Sequence, residues 1–345
     1  MPRGRRAVLS SSSSEEREVN EEMDVSEEES SPSPPPVSRQ PGEGSSRGAG
    51  RSVFDSARFN TRRNQEWHEE HANLEFLFEM HVNPTVEMMY NISEAFAQLG
   101  WAPILTLPNH YYPDLVREFY ANIESKARHS GEMVESWVRG RRIVLSRQDL
   151  AAIVGCMDDG RPVDLKKEFV PPNRRWDPSL AMARFGLEYQ PFRSTRKETI
   201  LANVFEPRHR LIIYIVAHNV IPKKTGHTEV RKSDIYFLDY MFHNRTSPYA
   251  HISLPNIIIS HIRSTARRKT TSFKLSFPRL LTLIFPRFEV RLEGMRRENV
   301  PPRAEMTLTT LRRLGIGTGD IPRPVQERRQ KARHGREEAG PSTAA

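Results

Sequence analysis

Four strongly apolar segments alternate with short basic connectors between residues 207 and 285 of this chain. The segments cover residues 211–216, 235–242, 257–262 and 280–285, and prolines mark the connectors around them. Short apolar runs bounded in this way are typical of elements buried in a core, and none approaches the roughly 20 residues of a membrane-spanning helix. The sequence therefore predicts a packed, mostly helical body with positive charge on its outside and no membrane span.

Helix start and stop signals place further elements in this body. Asn83 and Pro84 suit an N-cap and a first helical position, apolar residues such as Met88 follow at helical spacing, and Gly100 suits the end of the helix. Other helices are predicted over residues 64–81, 113–124, 207–219, 234–242, 255–267, 277–285 and 305–314.

A short β-hairpin is predicted over residues 134–145, because apolar residues flank a turn at Arg139 and Gly140. Ser146 and Asp149 then have the spacing of a capping box, and Gly155 suits the end of the helix that follows. The predicted fold class is mainly α: an irregular helical domain, with two helical lobes left open as an arrangement, one short β-hairpin and disordered N- and C-terminal tails.

Composition divides the chain into three regions. Residues 1–62 are rich in Ser, Pro and acidic side chains and hold few large apolar residues, so burial there cannot offset the entropy of ordering. Residues 63–298 form the predicted helical body, and residues 299–345 form a mostly disordered basic tail. The N-terminal tail offers candidate phosphorylation sites at Ser26, Ser31 and Ser33. The C-terminal tail holds a candidate nuclear-import or nucleic-acid patch, made of Arg328, Arg329, Lys331 and Arg333.

Positive charge is concentrated in the body. The chain has 52 Lys and Arg residues against 43 Asp and Glu residues, and residues 63–300 contribute 34 of the basic and 27 of the acidic side chains. Such a field favours anionic partners, nucleic acid first among them. The basic residues near the C-terminal end of the body also include Arg279, Arg287, Arg291, Arg296 and Arg297.

Basic residues at and beyond the end of the helix over residues 255–267 are the predicted nucleic-acid contacts: Arg263, Arg267, Arg268, Lys269 and Lys274. Side chains of this type bind phosphates without reading the base sequence, so weak and salt-sensitive binding is expected. The alternative is a solvated helix end, where the same cations complement the helix dipole. Both interpretations stay open at this point.

Cysteine and histidine usage gives no sign of a metal or cofactor site. The single Cys156 cannot form an intramolecular disulfide, and it excludes zinc sites that need two or more thiolates from this chain, so an intracellular protein is expected. His68 and His71 share one helix face but lack a third ligand, which favours a solvated polar surface. No metal ligands and no cofactor are predicted.

No catalytic motif is present. The sequence lacks a glycine-rich phosphate loop, and its eight Asp residues between positions 114 and 239 could supply many arbitrary triads. Asp158, Asp159 and Gly160 are typical of a turn. A protein that is not an enzyme is therefore the expectation, with no catalytic residue assigned.

The order of several short motifs resembles a known family. The motifs are Phe119-Tyr120-Ala121-Asn122, Val138-Arg139-Gly140-Arg141, Ile153-Val154-Gly155, Trp176, the run from Ile215 to Pro222, Ser233-Asp234-Ile235, Ile257-Ile258 and Phe277-Pro278-Arg279-Leu280. Together they resemble the putative plant transposon protein domain family over residues 108–290. The resemblance implies a plant host and an origin among retroelement-linked reading frames, and it implies no activity and no catalytic residues.

Three functions follow from these observations as hypotheses. The first is a transposon-derived, non-enzymatic protein, nuclear or cytoplasmic, that binds nucleic acid weakly or serves as a protein-interaction module. The second is a degenerate metal-dependent transposase or nuclease that uses body carboxylates such as Asp158 and Asp239. The third is a capsid-like module that associates with copies of itself.

Overall fold

Eleven helices supply most of the regular structure in the part of the chain that is described, residues 53–124, 133–158, 160–163, 176–189, 200–243, 252–266, 268 and 272–317 of a computed structural model. The helices are α1 (Arg62–Glu70), α2 (Pro84–Tyr90), α3 (Ile92–Ala97), α4 (Pro113–Ala121), α5 (Arg147–Val154), α6 (Pro178–Arg184), α7 (Pro207–Ile215), α8 (Lys232–His243), α9 (Leu254–Ala266), α10 (Pro278–Arg287) and α11 (Leu308–Arg313). Helices hold more of these residues than strands do, which agrees with a mainly helical fold.

The four apolar segments of the sequence all lie in buried helices, α7 to α10. Ile212, Phe237, Ile258 and Leu281, one from each helix, have at most 1% of their surface exposed. Full burial of a side chain of this size stabilises a fold by about 1.5–3 kcal/mol. These helices therefore form a large part of the core.

A single π turn, Val216–Val220, continues α7 and places Asn219 in the core. The Asn219 amide accepts a hydrogen bond from the Met80 N–H at 2.7 Å and donates to the Met80 carbonyl at 2.9 Å and the Ile104 carbonyl at 3.1 Å. Because a buried amide is costly unless its groups are paired, this network fixes two loops against α7.

Five two-stranded pairings occur among the described residues, so the prediction of one hairpin is incomplete. The predicted hairpin is confirmed, as β4 (Met133–Val138) pairs antiparallel with β5 (Arg141–Ser146). The other strands have two residues each: β1 (Phe76–Leu77), β2 (His81–Val82), β3 (His110–Tyr111), β6 (Ile200–Leu201), β7 (Glu229–Val230), β8 (Leu275–Ser276), β9 (Glu298–Asn299) and β10 (Glu305–Met306).

The short strands join distant parts of the sequence. β1 pairs parallel with β8 and β2 with β10, while β3 pairs antiparallel with β9 and β6 with β7. Two residues are too few to show a strand period, and their partners lie up to about 220 residues away. Neither feature is visible in a local reading of the sequence.

The predicted helix over residues 64–81 is wrong in its second half, since α1 ends at Glu70. Alternate residues from 74 to 82 are buried, namely Leu74, Phe76, Phe78, Met80 and Val82. A period of two is the mark of an extended segment, because successive side chains point to opposite sides. This segment carries β1 and β2.

The predicted helix that ends at Gly100 is divided in two at Asn91. Asn91 has a φ of 45°, in the left-handed region, and it ends α2 and precedes α3. Asn adopts this conformation more readily than other residues with a side chain. Met88 lies at the surface of α2, where it is 70% exposed, although helical spacing predicts its burial.

Several predicted helix ends are confirmed. The Asn83 side chain accepts from the Thr85 N–H at 3.0 Å, with Pro84 as the first helical residue. Ser146 and Asp149 form the reciprocal capping box at the start of α5. The hairpin turn combines positive φ at Arg139 and Gly140, as a type I′ turn requires.

The described residues all lie in one compact unit that begins at Val53, rather than in two lobes. Met306, Leu311 and Ile316, which follow residue 298 in the sequence, are buried in the core. None of the helices in the described ranges is long and apolar enough to span a membrane.

Candidate nucleic-acid interface

The predicted nucleic-acid contacts lie in different environments. Arg263 is half-buried in the last turn of α9 and donates to the Met133 carbonyl at 3.2 Å. Arg268 is exposed beyond α9. Lys274 forms an ion pair with Glu75 at 2.5 Å, just before β8. Arg268 and Lys274 therefore reach solvent, whereas Arg263 contacts the hairpin backbone.

Other predicted site residues fall outside the described part of the chain. They are the contacts Arg267 and Lys269, the basic patch of Arg328, Arg329, Lys331 and Arg333, and the phosphorylation candidates Ser26, Ser31 and Ser33.

Arg279 does not contribute to a basic surface, which corrects the sequence interpretation. Its side chain is completely buried, and its guanidinium donates to the Pro108 carbonyl at 2.7 Å, to the Glu79 carbonyl at 2.8 Å and to the Leu107 carbonyl. The Glu79 carboxylate in turn accepts the backbone N–H groups of Arg279 and Leu280 at the start of α10. Arg279 therefore connects three segments inside the core and adds no charge to the surface.

Glu75, which lies between α1 and β1, pairs with Lys274 and is also under the influence of two further cations. The hydrogen bond and charge of Lys274 lower the pKa of Glu75, and the charges of Arg303 and Lys224 lower it further. Lys224 and Arg303 are exposed, and Lys224 also donates to the Ser272 carbonyl. We call Lys224, Lys274 and Arg303 the basic face. The β1–β8 pairing positions this face, because it brings residue 75 beside residue 274.

A cleft of about 210 Å³ lies near the basic face, at the end of α11. Its lining residues are Leu201, Ala202, Asn203, Arg210, Tyr214, His227, Thr228, Arg313 and Leu314. Two of these residues are arginines, and the largest of the others are apolar or aromatic. The lining thus combines positive charge with ring surface.

Three rings contact one another beside the cleft, and two of them are stacked. The Tyr214 and His218 ring centroids are 4.4 Å apart, and His218 lies 4.3 Å from His227 with nearly parallel planes. Burial lowers the pKa of His218 to about 4. Burial also lowers the pKa of His227, and the charges of Lys223 and Lys274 add to that effect. Both imidazoles are therefore neutral at pH 7, and Lys274 lies close to the cleft as well as to Glu75.

The carboxylates proposed for metal chemistry have separate protein partners. Asp158 accepts from Arg147 and Ser253, and Asp239 accepts from the Trp176 indole N–H at 2.8 Å. Asp239 also pairs with Arg184 and His243, each at 3.3 Å. No three His, Cys, Asp or Glu side chains of the described residues converge as a metal site would require.

Burial affects His68, His71 and Cys156, the histidines and the cysteine that the sequence analysis considered. His71 is buried and stacks on Trp67 with ring centroids 4.3 Å apart, so the prediction of a solvated polar face is wrong for this residue. Burial lowers the pKa of His68. Cys156 is half-buried, and burial raises the pKa of its thiol to about 11, which keeps it protonated and unreactive at neutral pH.

Sequence reasoning missed Lys224, Arg303 and Arg313 as candidates for this interface. Lys224 and Arg313 each follow one other cation and Arg303 stands alone, so none belongs to a long basic run, and only long-range pairing brings the three segments together. Their basic character is visible in the sequence, but nothing local distinguishes them from other exposed Lys and Arg residues.

Residues 97–291 match the model of a protein family described as a putative plant retrotransposon-related domain. The match covers more than half of the chain and confirms the resemblance that the motifs suggested. No curated protein and no solved structure shows significant similarity to the chain. Lys224 and Lys274 lie inside the matched region, whereas Arg303 and Arg313 lie beyond it.

Proposed function

The chain belongs to the plant retrotransposon-related domain family, and we propose that it is a transposon-derived, non-enzymatic module that binds nucleic acid through its basic face. The observation that carries this proposal is the Lys274–Glu75 ion pair, with Lys224 bound to the Ser272 carbonyl two residues before Lys274; the charge of Arg303 acts on the same carboxylate. One carboxylate against three cations leaves a positive surface, and such a surface attracts the phosphate backbone.

The chemistry of the face argues for binding without sequence preference. Lysine and arginine at the surface act as phosphate ligands that set position and affinity, and base reading needs side chains placed in a groove. Arg268, exposed on the connector six residues before Lys274, adds a fourth cation to this region. The affinity is therefore expected to be modest and to fall steeply with salt.

A gel-shift series from 50 to 200 mM salt tests the proposal with the full chain and a 20-base-pair DNA duplex. In the triple variant Lys224→Gln, Lys274→Gln, Arg303→Gln, the slope of log K against log salt should become shallower by about 2 to 3, because up to three phosphate contacts are lost. The protein should stay folded, because a surface ion pair such as Lys274 to Glu75 contributes little to stability.

The matched control is Arg63→Gln, Arg141→Gln, Arg142→Gln, which removes the same charge from exposed positions on α1 and at the hairpin end. The control should keep the wild-type slope. An equal loss in both triple variants would show that only net charge matters. Absence of binding by the wild type at 50 mM salt would refute the proposal.

The same DNA incubated with Mg²⁺ or Mn²⁺ tests the hypothesis of a metal-dependent nuclease. The separate partners of Asp158 and Asp239 support the expectation of no cleavage. Cleavage by the wild type that disappears in Asp158→Ala or Asp239→Ala would overturn our proposal in favour of the nuclease.

Light scattering at rising concentration tests the capsid-like hypothesis, since self-assembly would raise the apparent mass.

A further inference from the structure

The cleft next to the basic face has the composition of a site for an anionic ligand with a flat ring. Arg210 and Tyr214 lie one turn apart on α7, so their side chains share one face of the helix. His227 comes from the connector before β7, and Arg313 is the last residue of α11. Three separate segments therefore supply the two cations and the two rings.

The guanidinium groups of the two arginines that line the cleft are available to bind an anionic ligand. Arg313 is exposed, and its charge acts on Tyr214, where it opposes the rise in pKa that burial causes. Arg210 donates one hydrogen bond to the Leu314 carbonyl, which uses one of the five N–H donors of a guanidinium. In the described part of the chain neither arginine is paired with a carboxylate.

Ring surface and apolar side chains complete the cleft. Tyr214 and His227 line it, and both rings pack against His218, Tyr214 in a tilted and His227 in a stacked arrangement. Leu201, which is 46% exposed, gives the rim an apolar side chain. Aromatic side chains at the edge of a basic groove are the usual platform on which unpaired bases stack.

From this arrangement we infer that the cleft binds one nucleotide of a single-stranded nucleic acid, with the base against Tyr214 and His227 and the phosphate on Arg210 and Arg313. This inference rests on the proposed function and names the form of nucleic acid that the protein prefers. At about 210 Å³ the cleft is smaller than the roughly 300–1,000 Å³ of sites for drug-sized ligands, which suits a single base.

The nucleic-acid strand extends from the cleft onto the neighbouring basic face. Lys224 lies three residues before His227, which lines the cleft, and it donates to the Ser272 carbonyl two residues before Lys274, so a strand seated in the cleft passes these lysines with its next phosphates. A base in a duplex is paired and stacked on its neighbours, and it cannot enter the cleft. The duplex therefore contacts the basic face alone.

Fluorescence anisotropy with a labelled ten-nucleotide thymidylate strand tests the inference, with a duplex of the same length and free thymidine monophosphate as comparisons. Arg313→Gln and Tyr214→Leu should each weaken binding of the strand by about tenfold, because stacking and charge pairing each contribute on that scale. Binding of the duplex should change less than twofold. The free nucleotide should compete with the strand only at high concentration, since it lacks the contacts to the basic face.

The chain contains a matched control beside the cleft. Arg312 is exposed like its neighbour Arg313 but does not line the cleft, so Arg312→Gln removes the same charge outside the site. This variant should bind the strand within about twofold of the wild type. Arg313→Gln keeps the test valid if Tyr214→Leu disturbs α7.

The outcomes separate the two proposals. If strand and duplex bind but Arg313→Gln behaves like Arg312→Gln, the cleft does not hold a nucleotide and the basic face stands. If neither strand nor duplex binds, the proposed function fails and the inference fails with it. Displacement of the strand by an acidic peptide at lower concentration than by the free nucleotide would assign the cleft to a protein partner and overturn the inference.

Discussion

Arg279 joins three segments through one guanidinium group. Its donors reach the carbonyls of Leu107, Pro108 and Glu79, and the Glu79 carboxylate accepts the first N–H groups of α10. Burial raises the pKa of Glu79, and the charge of Arg279 and the backbone donors act against that rise. The sequence shows Arg279 as one more cation in a basic region, because only the folded chain brings residues 79, 107 and 279 together.

We expect Arg279→Lys to lower the free energy of unfolding by about 3 kcal/mol, since a single ammonium group cannot reproduce the planar set of donors and leaves buried carbonyls unpaired. Urea unfolding followed by circular dichroism measures the change. Arg287→Lys, on the exposed end of the same helix, is the control and should stay within about 0.5 kcal/mol. Similar values for the two variants would contradict a structural role for Arg279.

At the scale of elements, signals that act over one or two turns were predictable and those that depend on distant partners were not. The capping box of Ser146 and Asp149 and the start of α2 at Asn83 follow from the sequence. The period of two over residues 74–82 is also visible in the sequence, although the helix predicted over residues 64–81 runs through most of it. The break at Asn91 was less visible, because asparagine is also compatible with the interior of a helix.

Gly160 shows why the segment over residues 158–163 lies against the start of α9. A Cβ atom at this position would lie 2.1 Å from the Ile252 carbonyl carbon and 2.2 Å from the Ser253 nitrogen. The Ser253 N–H donates to the Arg161 carbonyl at 3.1 Å, and the Ser253 hydroxyl donates to Asp158 at 2.8 Å. The turn expected at residues 158–160 is a site of close backbone contact, with Asp159 outside the described residues.

Gly160→Ala should therefore destabilise the protein by about 3 kcal/mol, because backbone atoms must move to admit the methyl group. Thermal unfolding compares this variant with Gly294→Ala. Gly294 has a φ of +72° but no atom within 4 Å, so its substitution should cost only about 1 kcal/mol of left-handed strain. If Gly160→Ala is the milder of the two, the two segments are not in contact as described.

Across the whole molecule, burial lowers the pKa of several histidines. Burial is the main cause for His68, His110, His209 and His227, and it brings the pKa of His218 and of His261 to about 4. A histidine that is neutral when folded binds a proton more readily when unfolded, so the free energy of unfolding falls as the pH drops from about 6.5 towards 4. The molecule is therefore expected to be sensitive to mild acid.

His261→Gln should remove about 3 kcal/mol of this dependence between pH 6.5 and 4, because one group with a shift of this size no longer titrates. Urea unfolding at several pH values measures the difference from the wild type. Burial raises the pKa values of Glu79 and Glu118, so these carboxyl groups change the free energy of unfolding with pH in the opposite direction. Their contribution is the same in the wild type and the variant, so it cancels when the two are compared. Ser276→Ala removes the hydrogen bond to His261 without removing the titrating ring, so its curve should shift but keep the wild-type slope.

The net charge of the body was predictable, whereas its distribution was not. Counting residues identifies an excess of cations, but the count treats Arg279 and Arg303 alike. In the structure Arg279 is buried and Arg303 belongs to the basic face. Lys274 was identified as a candidate from its connector, and its partners Lys224 and Arg303 come from segments 50 and 29 residues away.

The parallel pairings of β1 with β8 and of β2 with β10 set an order of events during synthesis on the ribosome. Residues 74–82 leave the exit tunnel long before their partners at 275–276 and 305–306 have been translated. At about 5–20 residues per second, the delay amounts to roughly 10–45 seconds. Throughout that interval Phe76, Phe78 and Met80 have no completed core to enter, so this segment is prone to aggregation for longer than segments whose partners are local.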